Sequence, residues 1–165
     1  MNCGNRPAVG FMDVTMIPLR RFTARALPID DLNRVLLLNG FDPARPDDPF
    51  WFTIGGAVEA GETLQQAAAR ELFEEVGIRA PASAFTGPYG TSTVEFSFGR
   101  YAIVQDQTFF AVRVGAAEVS FEHMEQIEKE TTIGHRWWSA EELEATDEVI
   151  FPPDMAAILR TITSG

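Results

Sequence analysis

The sequence predicts an α+β fold, a mixed β-sheet flanked by helices, and three observations point there. Apolar runs of strand length, rich in Phe, Val, Thr and Leu, recur along much of the chain. A single amphipathic helix with clear start and stop signals interrupts them, and shorter helical patterns close the chain. Strands and helices interleave without the regular alternation of a doubly wound sheet.

RFTARALPID, followed by RVLLLNGF, reads as two strands joined by a polar turn from Asp30 to Asn33. DPARPDDP, from Asp42 to Pro49, reads as a loop. PFWFTIGG is then a short aromatic strand running into a glycine pair. The helix follows from Thr63 to Val76: Thr63 and Gln66 form a capping box, and Gly77 before apolar Ile78 suits a left-handed stop. From Ala84 to Gly115 two or three further strands are expected, with turns at Pro88-Tyr89-Gly90 and Gly99-Arg100. EVSFEHMEQIEKE is acidic and fits either loop or helix. TTIGHRWWS reads as the last strand, SAEELEAT as a short helix capped by Ser139, and PPDMAAILRTI as the closing helix.

Composition narrows the function classes. The 165 residues suffice for one domain with a real core, and 45% hydrophobic with 22% charged residues is ordinary for a soluble protein. We read residues 1–18 as an N-terminal segment and 19–165 as a single domain. A net charge of -11 opposes a nucleic-acid polymer but not a small phosphorylated substrate accompanied by a divalent cation. Cys3, the single cysteine, excludes an intrachain disulfide framework and fits a cytoplasmic setting. No apolar stretch of about 18 residues suggests a membrane span, and the chain is compatible with a homodimer.

The informative stretch is GAVEAGETLQQAAARELFEEVGI, Gly56 to Ile78. Three glutamates, Glu71, Glu74 and Glu75, crowd the carbonyl end of the helix, where the dipole and mutual repulsion both oppose them. At about 100° per residue, Glu71 and Glu75 lie about 40° apart beside the apolar stripe Leu64, Ala68, Leu72, Val76, with Glu74 about 60° to the other side of Glu71. Hard oxygen ligands converging on one point suit Mg²⁺, with Mn²⁺ able to substitute. On an isolated helix the same glutamates would more simply form a solvated face with Arg70 paired to Glu74. The full spacing favours the metal.

Gly56, Glu62, Arg70, Glu71, Glu74, Glu75 and Gly77, with apolar Leu72 and Ile78, match G-x5-E-x7-R-E-U-x-E-E-x-G-U throughout. By average residue usage such a match has a chance on the order of one in ten million. The stretch resembles the signature of the Nudix hydrolase family, and RWWSAEEL (Arg136 to Leu143) is similar to that family's closing strand and helix. The resemblance implies an α/β/α sandwich around a mixed sheet. It also implies divalent-cation-dependent hydrolysis of a phosphoanhydride bond in a nucleoside diphosphate linked to another group, or in a nucleoside triphosphate. It makes Glu71, Glu74 and Glu75 metal ligands, joined by the backbone carbonyl of Gly56, and gives Arg70 the role of orienting them. The proton acceptor stays open among Glu71, Glu122, Glu125 and Glu128, since members differ in this residue. Glu59 and Glu62 are expected to organise the loop.

Some features stand outside that pattern. Ile54-Gly55-Gly56 replaces the Pro-Gly-Gly common among relatives, which loosens a preset dihedral and removes no ligand. Arg25, Trp51 and Phe96 are candidate substrate contacts, Arg25 to a phosphate and the aromatics to a base; Tyr89 and Phe98 are further stacking candidates, and each aromatic has an alternative place in the core. His123 and His135 are expected to be structural. Where ADP-ribose enzymes of the family often carry proline this chain has Thr93. Where dinucleoside polyphosphate enzymes carry tyrosine it has Val94 to Phe96. The coenzyme A pattern is missing upstream, so the nucleotide is left unnamed. Two other readings compete: a catalytically silent Nudix-like nucleotide sensor, weakened by the complete set of signature carboxylates, and an isoprenoid diphosphate isomerase, for which Cys3 is a poor catalytic cysteine.

Overall fold

The computed structural model describes residues 15–164. Cys3 and residues 1–14 of the N-terminal segment lie outside them. The elements in order are β1 (Ile17–Ile29), β2 (Val35–Asp42), β3 (Arg45–Phe52), β4 (Ile54–Ala57), α1 (Leu64–Val76), β5 (Thr91–Phe98), β6 (Tyr101–Arg113), α2 (Gln126–Thr131), β7 (Thr132–Trp138), α3 (Ala140–Ala145) and α4 (Met155–Thr163). The sheet runs β3-β2-β1-β6-β5, with β4 paired to β1 and β7 to β2. Among the described strand pairs only β1 and β6 run parallel, so the sheet is mixed.

Alternation along the strands sends side chains to opposite faces. Ala24, Ala26, Leu36 and Leu38 pack with Ala68, Leu72 and Val76 of α1. Leu27, Ile29, Val35 and Leu37 pack on the other face with Leu143 of α3 and Met155, Ile158 and Leu159 of α4. Two apolar layers about one sheet make the expected sandwich. One topological detail positions the site: β2 pairs with β1 at a single position, Ile29 to Val35, and then diverges. Further along β1 its place is taken by β4, which pairs across Thr23 to Ala26. The Gly55-Gly56 pair therefore lies in the middle of the sheet, beside α1.

The expected loop from Asp42 to Pro49 is corrected to a tight turn followed by extended backbone. Arg45 already pairs with Asp42, and the register slips before Gly40 meets Phe50. Pro46 and Pro49 lack an N–H for a ladder, yet an edge strand with a bulge accommodates them without losing a buried hydrogen bond. The first strand also starts earlier than its pattern suggested, because β6 pairs with it in parallel from Ile17 onward. The acidic segment resolves into a loop and the short α2, and among the described residues no helix is long and apolar enough to cross a membrane.

Candidate active site

The capping box that starts α1 and the glycine that ends it are both formed. Thr63 accepts from the Gln66 backbone N–H, the Gln66 side chain accepts from Thr63, and Gly77 adopts φ 72°. These fix the phase of the helix, and the phase decides where its glutamates go. Glu71 and Glu75 turn into the protein, 8% and 5% exposed, while the Glu74 side chain stays 37% exposed beside Arg70.

Glycine makes room for Glu71 and for the close approach of β4 to β1. A Cβ on Gly56 would stand 2.5 Å from Glu71 Oε1, and one on Gly55 2.2 Å from the Ala24 carbonyl. Gly55 also donates its N–H to Glu75 Oε2 at 2.6 Å. From the far side α2 brings Glu128, and one oxygen from each of Glu71, Glu75 and Glu128 lies within 4.8 Å of the others. Glu128 Oε2 is buried with no hydrogen-bond partner.

Arg70 gathers the rest. It donates to both Glu62 oxygens at 2.8 and 2.9 Å, to Glu71 Oε1 at 2.8 Å, to Glu74 Oε2 at 3.3 Å and to the Ala57 carbonyl at 3.0 Å. Hydrogen bonding to Glu62 raises its already high pKa. The carboxylates are raised as well, which for an acid disfavours the charged form. Burial raises Glu71 despite Arg70, and burial drives Glu75 well up, opposed by the charge of Arg25 and reinforced by Glu71 and Glu128. Glu128 is pushed up to about 7, by burial first and then by Glu71 and Glu125. Three crowded acids, one with an oxygen that has no hydrogen-bond partner, could hold a metal ion.

The other expected residues divide clearly. Arg25 is 8% exposed in a central strand, where it donates to Thr53 Oγ1 at 2.8 Å and to the Thr53 carbonyl. Burial lowers its pKa, with Glu75 opposing. Trp51 is packed edge-on against Trp138, 5.1 Å between ring centroids, with Nε1 donating to Glu148. Phe96 is 38% exposed on β5, away from both core clusters. The Tyr89 hydroxyl meets Thr86 Oγ1 at 3.1 Å, and Phe98 is half-buried. Glu59 and Glu62 both reach Arg70. Glu122 and Glu125 are exposed and outside the cluster. His123 stacks on Phe73, and His135 meets Phe121 edge-on.

Comparison with known proteins identifies the family and the fold. The NUDIX domain profile matches residues 19–159. The chain is 48% identical over 67 residues to the dihydroneopterin triphosphate diphosphatase of Escherichia coli K12, and 36% identical over 66 residues to a putative 8-oxo-dGTP diphosphatase of Bacillus subtilis. Each match covers 40% of this chain, and the chain spans only 41% of the length of either curated relative. Among solved structures, the MutT protein from Methanosarcina mazei Go1 superposes with a TM-score of 0.62 at 21% identity, covering 90% of this chain and 95% of that one. The Escherichia coli dihydroneopterin triphosphate pyrophosphohydrolase gives 0.58 at 24%, covering 90% and 98%.

Proposed function

The chain belongs to the Nudix family, and from that premise we propose that it is a divalent-cation-dependent pyrophosphohydrolase. Its substrate is a nucleoside triphosphate or a nucleoside diphosphate linked to another group. Two relatives carry triphosphates in their names, which favours the first. The observation that carries the reading is the convergence of Glu71, Glu75 and Glu128 within 4.8 Å. The net charge of -11 supports a small substrate over a nucleic-acid polymer, and the single cysteine a cytoplasmic setting.

The donor set fits the implied metal. All three side chains offer hard oxygens, and the orphaned Glu128 Oε2 lacks the partner that a cation would be. Glu71, Glu75 and Glu128 would hold Mg²⁺ or Mn²⁺, with the Gly56 carbonyl and Glu74 as further ligands the signature implies. When bound, the cation supplies charge neutralisation at the phosphate oxygens and lowers the pKa of the attacking water. Arg70 holds Glu71 in place and keeps Glu62 and Glu74 drawn to itself. Arg25 counters the charge of Glu75 and braces Thr53 beside the glycine pair. In the reaction a water oxygen forms a bond to phosphorus while the anhydride P–O bond breaks, and the leaving phosphate keeps the electron pair. The proton passes to Glu71 or Glu128, the candidate acids that lie in the cluster.

A panel of nucleotides incubated with Mg²⁺, with phosphate released by a coupled phosphatase as the readout, tests this. Cleavage of at least one nucleoside tri- or diphosphate derivative is expected. Cleavage of a non-nucleotide diphosphate alone would contradict the substrate class. Tight nucleotide binding without turnover would favour the sensor.

A further inference from the structure

The sheet face that carries Arg25 holds a second polar array that hydrolysis does not use. Arg21, Gln105 and Val94 stand in one row across β1, β6 and β5, and Thr23, Gln107 and Ser92 stand in the next. Arg21 Nε donates to Gln105 Oε1 at 2.7 Å, Gln105 Nε2 to Gln107 Oε1 at 3.0 Å, and Gln107 Nε2 to Ser92 Oγ at 2.9 Å. A guanidinium can only donate, so Arg21 dictates the direction of the whole chain and with it the orientation of both amides. Gln105 and Gln107 are 5% and 8% exposed and cannot turn freely.

The array is fixed but not satisfied. Each amide keeps one N–H and one oxygen lone pair, Ser92 keeps its O–H, and the terminal guanidinium nitrogens of Arg21 have no partner among the described residues. Beside them Thr23 is 1% exposed with its Oγ1 unpartnered. An array serving stability alone would be closed, because each unmet buried group carries a cost. Arg21, at one end of the array, has two kinds of neighbour. Arg21 is near enough to Glu71 for the carboxylate to raise its pKa against the effect of burial. The next row outward is Leu19, Ile103 and Phe96, with Leu19 41% and Phe96 38% exposed, an apolar shelf for a flat ring.

Resting on the hydrolase reading above, we propose that Arg21, Gln105 and Gln107 select the base of the nucleotide, taking a 6-oxopurine with its lactam edge in preference to adenine. Arg21 presents donors only, which match a carbonyl oxygen and a ring nitrogen such as guanine O6 and N7. The oriented Gln105 amide offers a donor and an acceptor to the neighbouring lactam. Adenine would set its amino group against the guanidinium, donor against donor. Arg21 stands one row from the apolar shelf and within the field of Glu71, so a base held there has its phosphates on the side of the carboxylate cluster.

The test compares kcat/KM for dGTP and dATP with Mg²⁺ in the wild type, Gln105→Leu, Gln107→Leu and Gln105→Asn. The wild type should prefer dGTP by about 10-fold or more, in line with the 1 to 3 kcal/mol that a bidentate base contact supplies. Each Leu variant should reduce the ratio several-fold by raising KM for dGTP more than KM for dATP, and Gln105→Asn should restore part of the preference. No preference in the wild type, or an equal loss for both nucleotides in the variants, overturns the proposal. Should the variants fail to fold, wild type with dITP and with 2-aminopurine deoxyribonucleoside triphosphate decides: the first keeps the 6-oxo group and should resemble dGTP, the second lacks it and should resemble dATP, and the reverse order refutes the assignment. If no nucleotide is cleaved the hydrolase reading fails, and thermal protection by dGTP against dATP then judges the base reading separately, equal protection overturning it.

Discussion

A methyl group on Gly56 would stand 2.5 Å from Glu71 Oε1 and 2.7 Å from its Cδ, so Gly56→Ala forces that carboxylate to move. The obstructing atoms belong to the end of a side chain, and folding should survive. Turnover should fall by about 10²-fold, equivalent to about 3 kcal/mol of barrier, as measured by kcat at saturating Mg²⁺. Glu75→Gln and Glu128→Gln should lose activity on the same scale. Glu74→Gln should lose activity less steeply, by about 10-fold, because Glu74 is shared with Arg70 and stands at the edge of the ligand set. A Glu74 variant as active as wild type would remove Glu74 from the metal set. At this scale the sequence was legible where spacing is local. Helical phase alone places Glu71 and Glu75 together, since both border the same apolar stripe. Glu128 lies beyond two strands and a loop, and only the packing of α2 beside β7 and β2 brings it in, which no periodicity encodes. The roles of Arg21, Gln105 and Gln107 stayed hidden for the same reason: their alignment depends on the parallel register of β1 and β6.

Among the elements, α1 was the most readable because its ends obey local chemistry. Thr63→Ala removes the side-chain half of the capping box and should cost about 1 kcal/mol in denaturant unfolding. Gly77→Ala should cost more, since φ is 72° and the added Cβ would stand 3.1 Å from the Ser120 Cβ. A Gly77 variant as stable as wild type would mean that the helix can end elsewhere. The β2–β3 hairpin was the least readable. Prolines and aspartates between Asp42 and Pro49 advertise a loop, yet the segment is held as an extended edge by its ladder to β2 and by Asp42, which ties the turn to a hairpin distant in sequence. Asp42 accepts from Ala44 and Arg45, and from the Gly99 backbone N–H at the tip of the β5–β6 hairpin. Asp42→Ala should therefore cost about 2 kcal/mol, the range for hydrogen bonds to a buried charge.

Across the whole molecule, the titrating groups pull stability in two directions. Glu71, Glu75 and Glu128 have folded pKa values raised above the ordinary 4.5, so the folded protein holds more protons than the unfolded chain above that pH. Their contribution to stability therefore declines as pH rises, for Glu128 from 4.5 to about 7. Asp30 and Asp42 are the reverse case: burial raises them, but backbone N–H groups with Arg34 and Arg45 more than offset it, and both end below the ordinary 3.8. Their stabilisation is complete above that value and lost as pH falls through the folded pKa. In chelator the melting temperature should peak near about pH 5 and be lower at about pH 8. Saturating Mg²⁺ should flatten that decline, because ligated carboxylates stay ionised. A metal-free protein whose stability rises from pH 5 to 8 would contradict the crowded-acid account.

The most direct test is Mn²⁺ binding by calorimetry, paired with thermal melts in chelator and in metal at constant ionic strength, for the wild type and the Glu71→Gln, Glu75→Gln double variant. Wild type should bind Mn²⁺ and melt several degrees higher with it, since a cation at about 100 times its dissociation constant adds roughly 2.7 kcal/mol. The double variant should respond little to metal, yet without metal melt at or above the wild type, because two buried charges have been removed. A wild type indifferent to Mn²⁺ and Mg²⁺, or a double variant clearly destabilised in chelator, would contradict the account and mean that protein partners alone hold these glutamates.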